Sequence, residues 1–379
     1  MTLLAPSSAR FSTSVYADRL RSAAHEAARR DVAALLITPS PDYTYLLGYA
    51  APALERITCL IVPADGRPTL VLPRFEQPLA VGELGDLAAE LDLVTWDETD
   101  DPCRLIAQSV GGTARRVAVE DHMVARFVLR LRAAMREAEL VEAGPMMAAL
   151  RRRKRPEEIE RLRAAGEAAD AAMLSITRER FVGRAEREIH ARIAELLVEA
   201  GHERADHAIV GTGPNSASPH HAPADRRVEV GDAIVLDIGG TRDGYRSDTT
   251  RMAFAGEPPE EFLALYRVLQ AAQQSAFEAV QPGIAARDID RAARSVIEDA
   301  GYGDWFIHRT GHGIGLEGHE EPYIVASNEE PIEAGDAFSI EPGIYIDGRW
   351  GARIEDIVVC TDTGGDRLNR SSRELYLVE

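Results

Sequence analysis

The chain reads as two domains in tandem, an α/β domain followed by an α+β domain that carries the chemistry. Three observations predict this. Its 379 residues exceed what one typical core accommodates. Residues from about 15 to 140 alternate helical and strand patterns, the mark of a compact α/β domain. Beyond them, five metal-capable side chains lie on short, glycine-punctuated, β-rich segments. The expected boundaries are 1–145 for the first domain, 146–157 for a linker and 158–379 for the second.

In the first domain, residues 16–28 read as a helix and 32–37 as a buried strand. Segments 59–62 and 69–72 flank an Asp65-Gly66 turn and predict a hairpin. Two more short strands are expected at 91–96 and 116–119. No acids or histidines cluster here with ligand spacing, so this half is expected to serve packing and assembly. A helix then begins at Pro156, with Glu157 and Glu158 complementing its N-terminal dipole. Ile159, Leu162, Ala165, Ala169, Met173 and Ile176 form its apolar stripe, which is core. Further helices are expected at 184–200, 259–280 and 286–300, closed by Gly201, Gly283 and Gly301. Strands are expected at 207–211, 233–239, 247–254, 337–340, 344–346 and 353–360.

Composition narrows the function. Hydrophobic content of 45% with 28% charged residues describes an ordinary soluble globular protein. A formal charge of −19 excludes a nucleic-acid partner, because too little positive charge is present to neutralise phosphates. The basic run Arg151-Arg152-Arg153-Lys154-Arg155, which contains the only lysine, is expected to be a solvated inter-domain face. Cys59, Cys103 and Cys360 lie far apart with no CxxC pair, which fits a reducing compartment. With neither an apolar leader nor an eighteen-residue apolar run, a cytoplasmic protein with no membrane partner is expected.

The site residues are Asp237, Asp248, His312, Glu341 and Glu355. Four ionised carboxylates carry about −4, which two divalent cations would neutralise. Converging without metal, they would repel strongly, so the set points to a dinuclear metal site. Asp237 interrupts an apolar strand, and Asp248 follows eleven positions later, enough for a hairpin to return it beside the first. A buried acid on a strand is costly unless paired or metal-bound; taken alone, these two aspartates fit turn capping equally well. Glu341 ends a strand before Pro342-Gly343. Strand alternation places Arg353 and Glu355 on one face, which leaves Arg353 open as the partner of Glu355. His312 stands between Gly311 and Gly313, which permit close backbone approach around its ring. Without the carboxylates, His220 and His319 would read as surface loop residues.

In this order, the stretches LDIGGTRDGYRSDTTR, HRTGHGIGLEGHEEP, SIEPGIY and GARIEDIVV resemble the pita-bread metallopeptidases, over residues 155–379. That family includes Xaa-Pro dipeptidases, aminopeptidases P and methionine aminopeptidases. TPSPDYTYLLGY and LVLPRFEQPLA resemble the creatinase-type N-terminal domain of its proline-directed branch. The resemblance implies a creatinase-like α/β domain followed by an α+β pita-bread catalytic domain. It implies Asp237, Asp248, His312, Glu341 and Glu355 as metal ligands, with Asp248 and Glu355 bridging. It assigns Glu341 to proton transfer, His220 (rather than His221) and His319 to substrate or the tetrahedral intermediate, and Arg353 to an outer-shell role steadying the bridging carboxylate.

The activity implied is cleavage of Xaa-Pro bonds by a hydroxide bridging two divalent ions, foremost by a Xaa-Pro dipeptidase. The substrate would be a small peptide with proline second, and the protein a homodimer. Carboxylate and imidazole donors suit Mn, Co, Fe or Zn, and the family points to manganese or cobalt. Aminopeptidase P, acting on longer Xaa-Pro peptides, is the nearest alternative. A metal-free creatinase-like amidinohydrolase or a non-catalytic binding protein ranks lower, since neither gives a reason to retain five ligands. Tyr323 stands where some archaeal-type prolidases carry an arginine that holds the dipeptide carboxylate, so strict dipeptide specificity is not secured by that residue.

Overall fold

The computed structural model describes residues 10–112 and 114–379. The first nine residues, which fall in the expected N-terminal domain and in the segment expected to hold no leader, lie outside the described residues. The chain divides into two compact units, Met1–Arg151 and Arg152–Glu379.

The first unit is built on α1 (Thr13–Arg29), β1 (Ala34–Ile37), α2 (Pro41–Leu47), β2 (Cys59–Pro63), β3 (Thr69–Pro73), α3 (Gln77–Leu84), β4 (Asp92–Trp96), α4 (Pro102–Val110), β5 (Arg116–Val119), α5 (Ala125–Ala134), β6 (Glu139–Glu142) and α6 (Gly144–Arg151). Its strands form one sheet in the order β4-β3-β2-β1-β5-β6. The expected hairpin is present, with Cys59 paired antiparallel to Val71. Ser40 caps α2 by accepting from the Tyr43 N–H, and Pro41 fits the first turn because its missing N–H is not needed there.

The expected linker, 146–157, is largely helix: α6 runs to Arg151 and, after four intervening residues, α7 (Pro156–Ile176) starts. Nor is the basic run a solvated face. Arg151 makes a buried ion pair with Asp42, Arg152 pairs with the fully buried Asp336, and the Lys154 ammonium sits 2.5 Å from Glu320 with its side chain only 1% exposed. Acids distant in sequence had covered these charges, which no local pattern shows.

The second unit continues with α8 (Glu186–Glu199), β7 (Arg204–Thr212), β8 (Ala233–Arg242), β9 (Tyr245–Arg246), β10 (Thr249–Ala255), α9 (Glu260–Ala279), α10 (Ala286–Asp299), β11 (Gly311–Gly313), β12 (Glu320–Ile324), β13 (Ala337–Ile340), β14 (Gly343–Ile346), β15 (Trp350–Arg353), β16 (Asp356–Thr361), β17 (Gly364–Arg367) and β18 (Tyr376–Val378). One sheet runs β18-β10-β8-β7 with β9 on β8, a second runs β12-β11-β13-β16-β17, and β14 pairs with β15.

Two cores hold these sheets. Ile234, Leu236 and Ile238 of β8 join Ala253 and Ala255 of β10 in a cluster with α7 and α8 side chains such as Met173 and Ile193. Ala233 and Val235, with Met252 and Phe254, face the other way into a cluster with α9, α10, Phe338 and Ile340. The period-two alternation of a strand therefore decides where polar residues go. Asp237 and Gly239 continue the Ala233–Val235 row, and Thr250 and Asp248 continue the Met252–Phe254 row. The apolar interface between the sheets thus turns acidic at one end.

The expected strand 353–360 is broken. β15 ends at Arg353, Glu355 bridges in isolation to Thr250, and β16 begins at Asp356. Despite the break, Arg353 and Glu355 still face the same side, and both reach the Thr250 hydroxyl.

Candidate metal centre

The acidic end of the sheet interface opens into a cavity of about 940 Å³ whose wall includes Asp237, Asp248, His312, Glu341, Glu355, His220, His319 and Arg353. All eight side chains singled out from the sequence therefore line one cavity. The β8–β10 register sets Asp237 opposite Thr250 and, continued by one residue, Asp248 opposite Gly239. Glu355 is tied to the same place because its N–H donates to Thr250 O at 3.1 Å and its carboxylate accepts from the Thr250 hydroxyl at 2.7 Å.

His312 is placed by β11. Its backbone N–H donates to Ser339 Oγ, and its ring Nδ1 lies 3.1 Å from Gly313 O. A carbonyl can only accept, so Nδ1 carries a hydrogen and Nε2 is the ring nitrogen that faces the cavity. Nε2 is 3.2 Å from Glu341 Oε1 and 3.9 Å from Asp248 Oδ2. Gly313 allows this close packing, since a Cβ there would stand 2.3 Å from Glu321 O.

Arg353 does not take Glu355 as its partner. Its guanidinium donates to Asp237 Oδ2 at 2.6 Å, to Tyr345 Oη at 2.7 Å and to Thr250 Oγ1 at 3.1 Å. It positions Asp237 and, through the threonine hydroxyl, touches the group that holds Glu355. His220 lines the cavity, whereas the neighbouring His221 reaches Glu186 at 2.7 Å. His319 stacks against His312 with ring centroids 3.9 Å apart.

The charge balance of this cluster indicates the kind of ligand it suits. Burial pushes Glu355 well above the usual carboxylate range, and repulsion from Asp248, Glu341 and Asp237 pushes it further. Burial also works to raise Asp237, but Arg353 and His207 beside it hold it below the ordinary value. Glu341, opposed by the same burial, is drawn down to about 2 by His312. The set cannot be fully ionised on its own. Carboxylate and imidazole donors lie within 4.8 Å of one another in three overlapping groups: His207, Asp237 and Asp248; Asp248, His312 and His319; His312, Glu341 and Glu355. Such donors fit divalent cations, whose charge would remove the repulsion.

Three residues of the site were not singled out from the sequence. His207 Nε2 lies 3.1 Å from Asp237 Oδ1 and 3.1 Å from Asp248 Oδ1. His308 and Tyr345 form a chain to Arg353, with His308 Nε2 3.0 Å from Tyr345 Oη. The only local signal for His207 was a histidine opening a strand near an acid-bearing one, and the pairing register was needed to use it.

Sheets with helix pairs outside and carboxylates and imidazoles between them define a pita-bread metallopeptidase. Residues 160–362 match the metallopeptidase family M24, and residues 19–153 match the creatinase/prolidase N-terminal domain. The chain belongs to family M24 and is a peptide-bond hydrolase of the metal-dependent class. It is 45% identical over 376 residues to a probable dipeptidase PepE of Mycobacterium tuberculosis, covering 98% of this chain and 99% of that protein. A Xaa-Pro dipeptidase of Pyrococcus furiosus is 35% identical over 317 residues, or 83% of this chain and 88% of the relative. The crystal structure of dipeptidase PepE from Mycobacterium ulcerans superposes with a TM-score of 0.94 at 46% identity, covering 98% of this chain and all of that one.

Proposed function

We propose that the chain is a Xaa-Pro dipeptidase that works with two divalent cations, manganese or cobalt by preference. The observation that carries this reading is the convergence of Asp237, Asp248, His312, Glu341 and Glu355 on one cavity that also holds His220 and His319. Likeness to relatives named as dipeptidases and Xaa-Pro dipeptidases supports the substrate class.

Asp237, Asp248, His312, Glu341 and Glu355 would hold the cations, which would supply an acidified water and Lewis acidity toward the scissile carbonyl. Arg353 keeps the Asp237 carboxylate oriented. Glu341, ionised beside His312, takes a proton from the attacking water at a carboxylate oxygen and gives it to the leaving nitrogen. In an Xaa-Pro bond that nitrogen has no hydrogen, so the delivered proton produces the secondary amine of free proline. His220 and His319, on the cavity wall, donate to the oxygen as negative charge builds on it.

Residues 158–379 would contain the whole catalytic apparatus, and residues 1–145 would serve assembly of a homodimer. A cytoplasmic location is supported by three free, buried cysteines; among the described residues, no helix is long and apolar enough to cross a membrane.

The test is hydrolysis of Xaa-Pro dipeptides and tripeptides by manganese-loaded protein. Ala-Pro should be split to alanine and proline, with Ala-Pro-Ala cleaved more slowly. The opposite order would make it an aminopeptidase P, and inertness of the loaded protein toward every Xaa-Pro substrate would end the proposal.

A further inference from the structure

We infer that His207 is a sixth metal-binding side chain, with Nε2 as a nitrogen ligand to the divalent ion held by Asp237 and Asp248. This rests on the metal site proposed above and adds a donor to it.

Distance is the first support. Two donors at about 2.0–2.2 Å from one ion, at tetrahedral or octahedral angles, stand roughly 3–3.5 Å from each other. His207 Nε2 is 3.1 Å from one oxygen of each aspartate. The same spacing separates His312 Nε2 from Glu341, at 3.2 Å.

The backbone also builds this position. In the β7–β8 pairing His207 stands opposite Gly239, and the register shifts between Ala205 and His207. Such an irregularity re-aims a side chain. Gly239 clears the path, because a Cβ there would come within 2.3 Å of His207 Cε1. The ring passes over this glycine toward Asp237, two residues along the same face, and toward Asp248 on the far strand. Its side chain is 32% exposed, on the cavity side.

The chemical consequence is that each ion has an imidazole, His207 on one and His312 on the other. Nitrogen donors raise affinity along the series from Mn(II) toward Co(II), so the Asp237–Asp248 site should discriminate more sharply between them than oxygen donors alone allow.

The test uses full-length protein stripped of metal and titrated with Co(II), read by calorimetry and by visible absorption. Wild type should take up two equivalents. In His207→Gln and His207→Ala one of the two should weaken by tenfold or more, with a changed Co(II) absorption band, and added imidazole should restore the band in His207→Ala. Gly239→Ala, which keeps the histidine but blocks its ring, should weaken the same equivalent. Circular dichroism of the metal-free variants checks that they fold. Two equivalents bound with wild-type affinity in both His207 variants would overturn the inference and leave the metallopeptidase site standing. Weaker binding with an unaltered band would overturn it too, because the band reports the donor set. Failure of wild type to bind Co(II) or Mn(II) at all would instead remove the underlying site.

Discussion

Replacing Gly313 by alanine tests whether close strand packing, and not only the donor set, makes this site work. A Cβ at that position would stand 2.3 Å from Glu321 O, 2.4 Å from Glu321 C and 2.5 Å from Glu320 O. Ordinary contact begins at 3.4 Å, so β11 and β12 must part by about 1.1 Å. These are backbone atoms that cannot swing aside, and His312 is the next residue. A displacement of about 1 Å at a catalytic group costs on the order of 100-fold. That fold-change corresponds to about 2.7 kcal/mol in kcat/KM. Overpacking should also lower stability by about 1–3 kcal/mol. The assay is kcat/KM on Ala-Pro under saturating manganese, with thermal unfolding alongside. Activity within threefold of wild type would refute the reasoning, since it would mean that His312 tolerates an ångström of movement.

Other perturbations separate the roles proposed for the remaining residues. Asp248→Ala and Glu355→Ala should each abolish most activity and lower bound metal; near-normal turnover by either at limiting metal would contradict the bridging assignment. His319→Ala should fold and retain its metal while turning over poorly, because its ring is proposed to touch substrate; a collapse of metal content would make it a ligand instead. Lys154→Met should destabilise the protein by about 3–5 kcal/mol in thermal unfolding, since it takes the ammonium away from buried Glu320. The double variant Lys154→Met/Glu320→Leu should recover much of that loss. An equally unstable double variant would show that packing, not the lost ion pair, is the cause.

Much of this architecture was written in local pattern. Pro156 and the stripe Leu162, Ala165, Ala169, Met173 and Ile176 specify α7 and its buried face, because helical periodicity needs only neighbours three and four residues apart. The acids on β8 and the β13–β14 turn were conspicuous because a carboxylate within an apolar strand demands a partner. What stayed hidden depends on pairs of distant residues. Nothing near Lys154 in sequence reveals its burial, because its partner Glu320 lies 166 positions away. Arg353 was offered Glu355 as its partner, two residues off, yet it goes to Asp237 because the break after β15 turns it across the sheet interface. His207 carried only its place at the start of an expected strand; the β7–β8 register and the absence of a side chain at Gly239 bring it to the aspartates. By itself, then, the sequence determined the two domains, their principal elements and five of the candidate donors, since propensity, periodicity and charge balance act locally or in sum. Which donor faces which was left to tertiary structure, because strand register and chain breaks are settled only when the sheets pack.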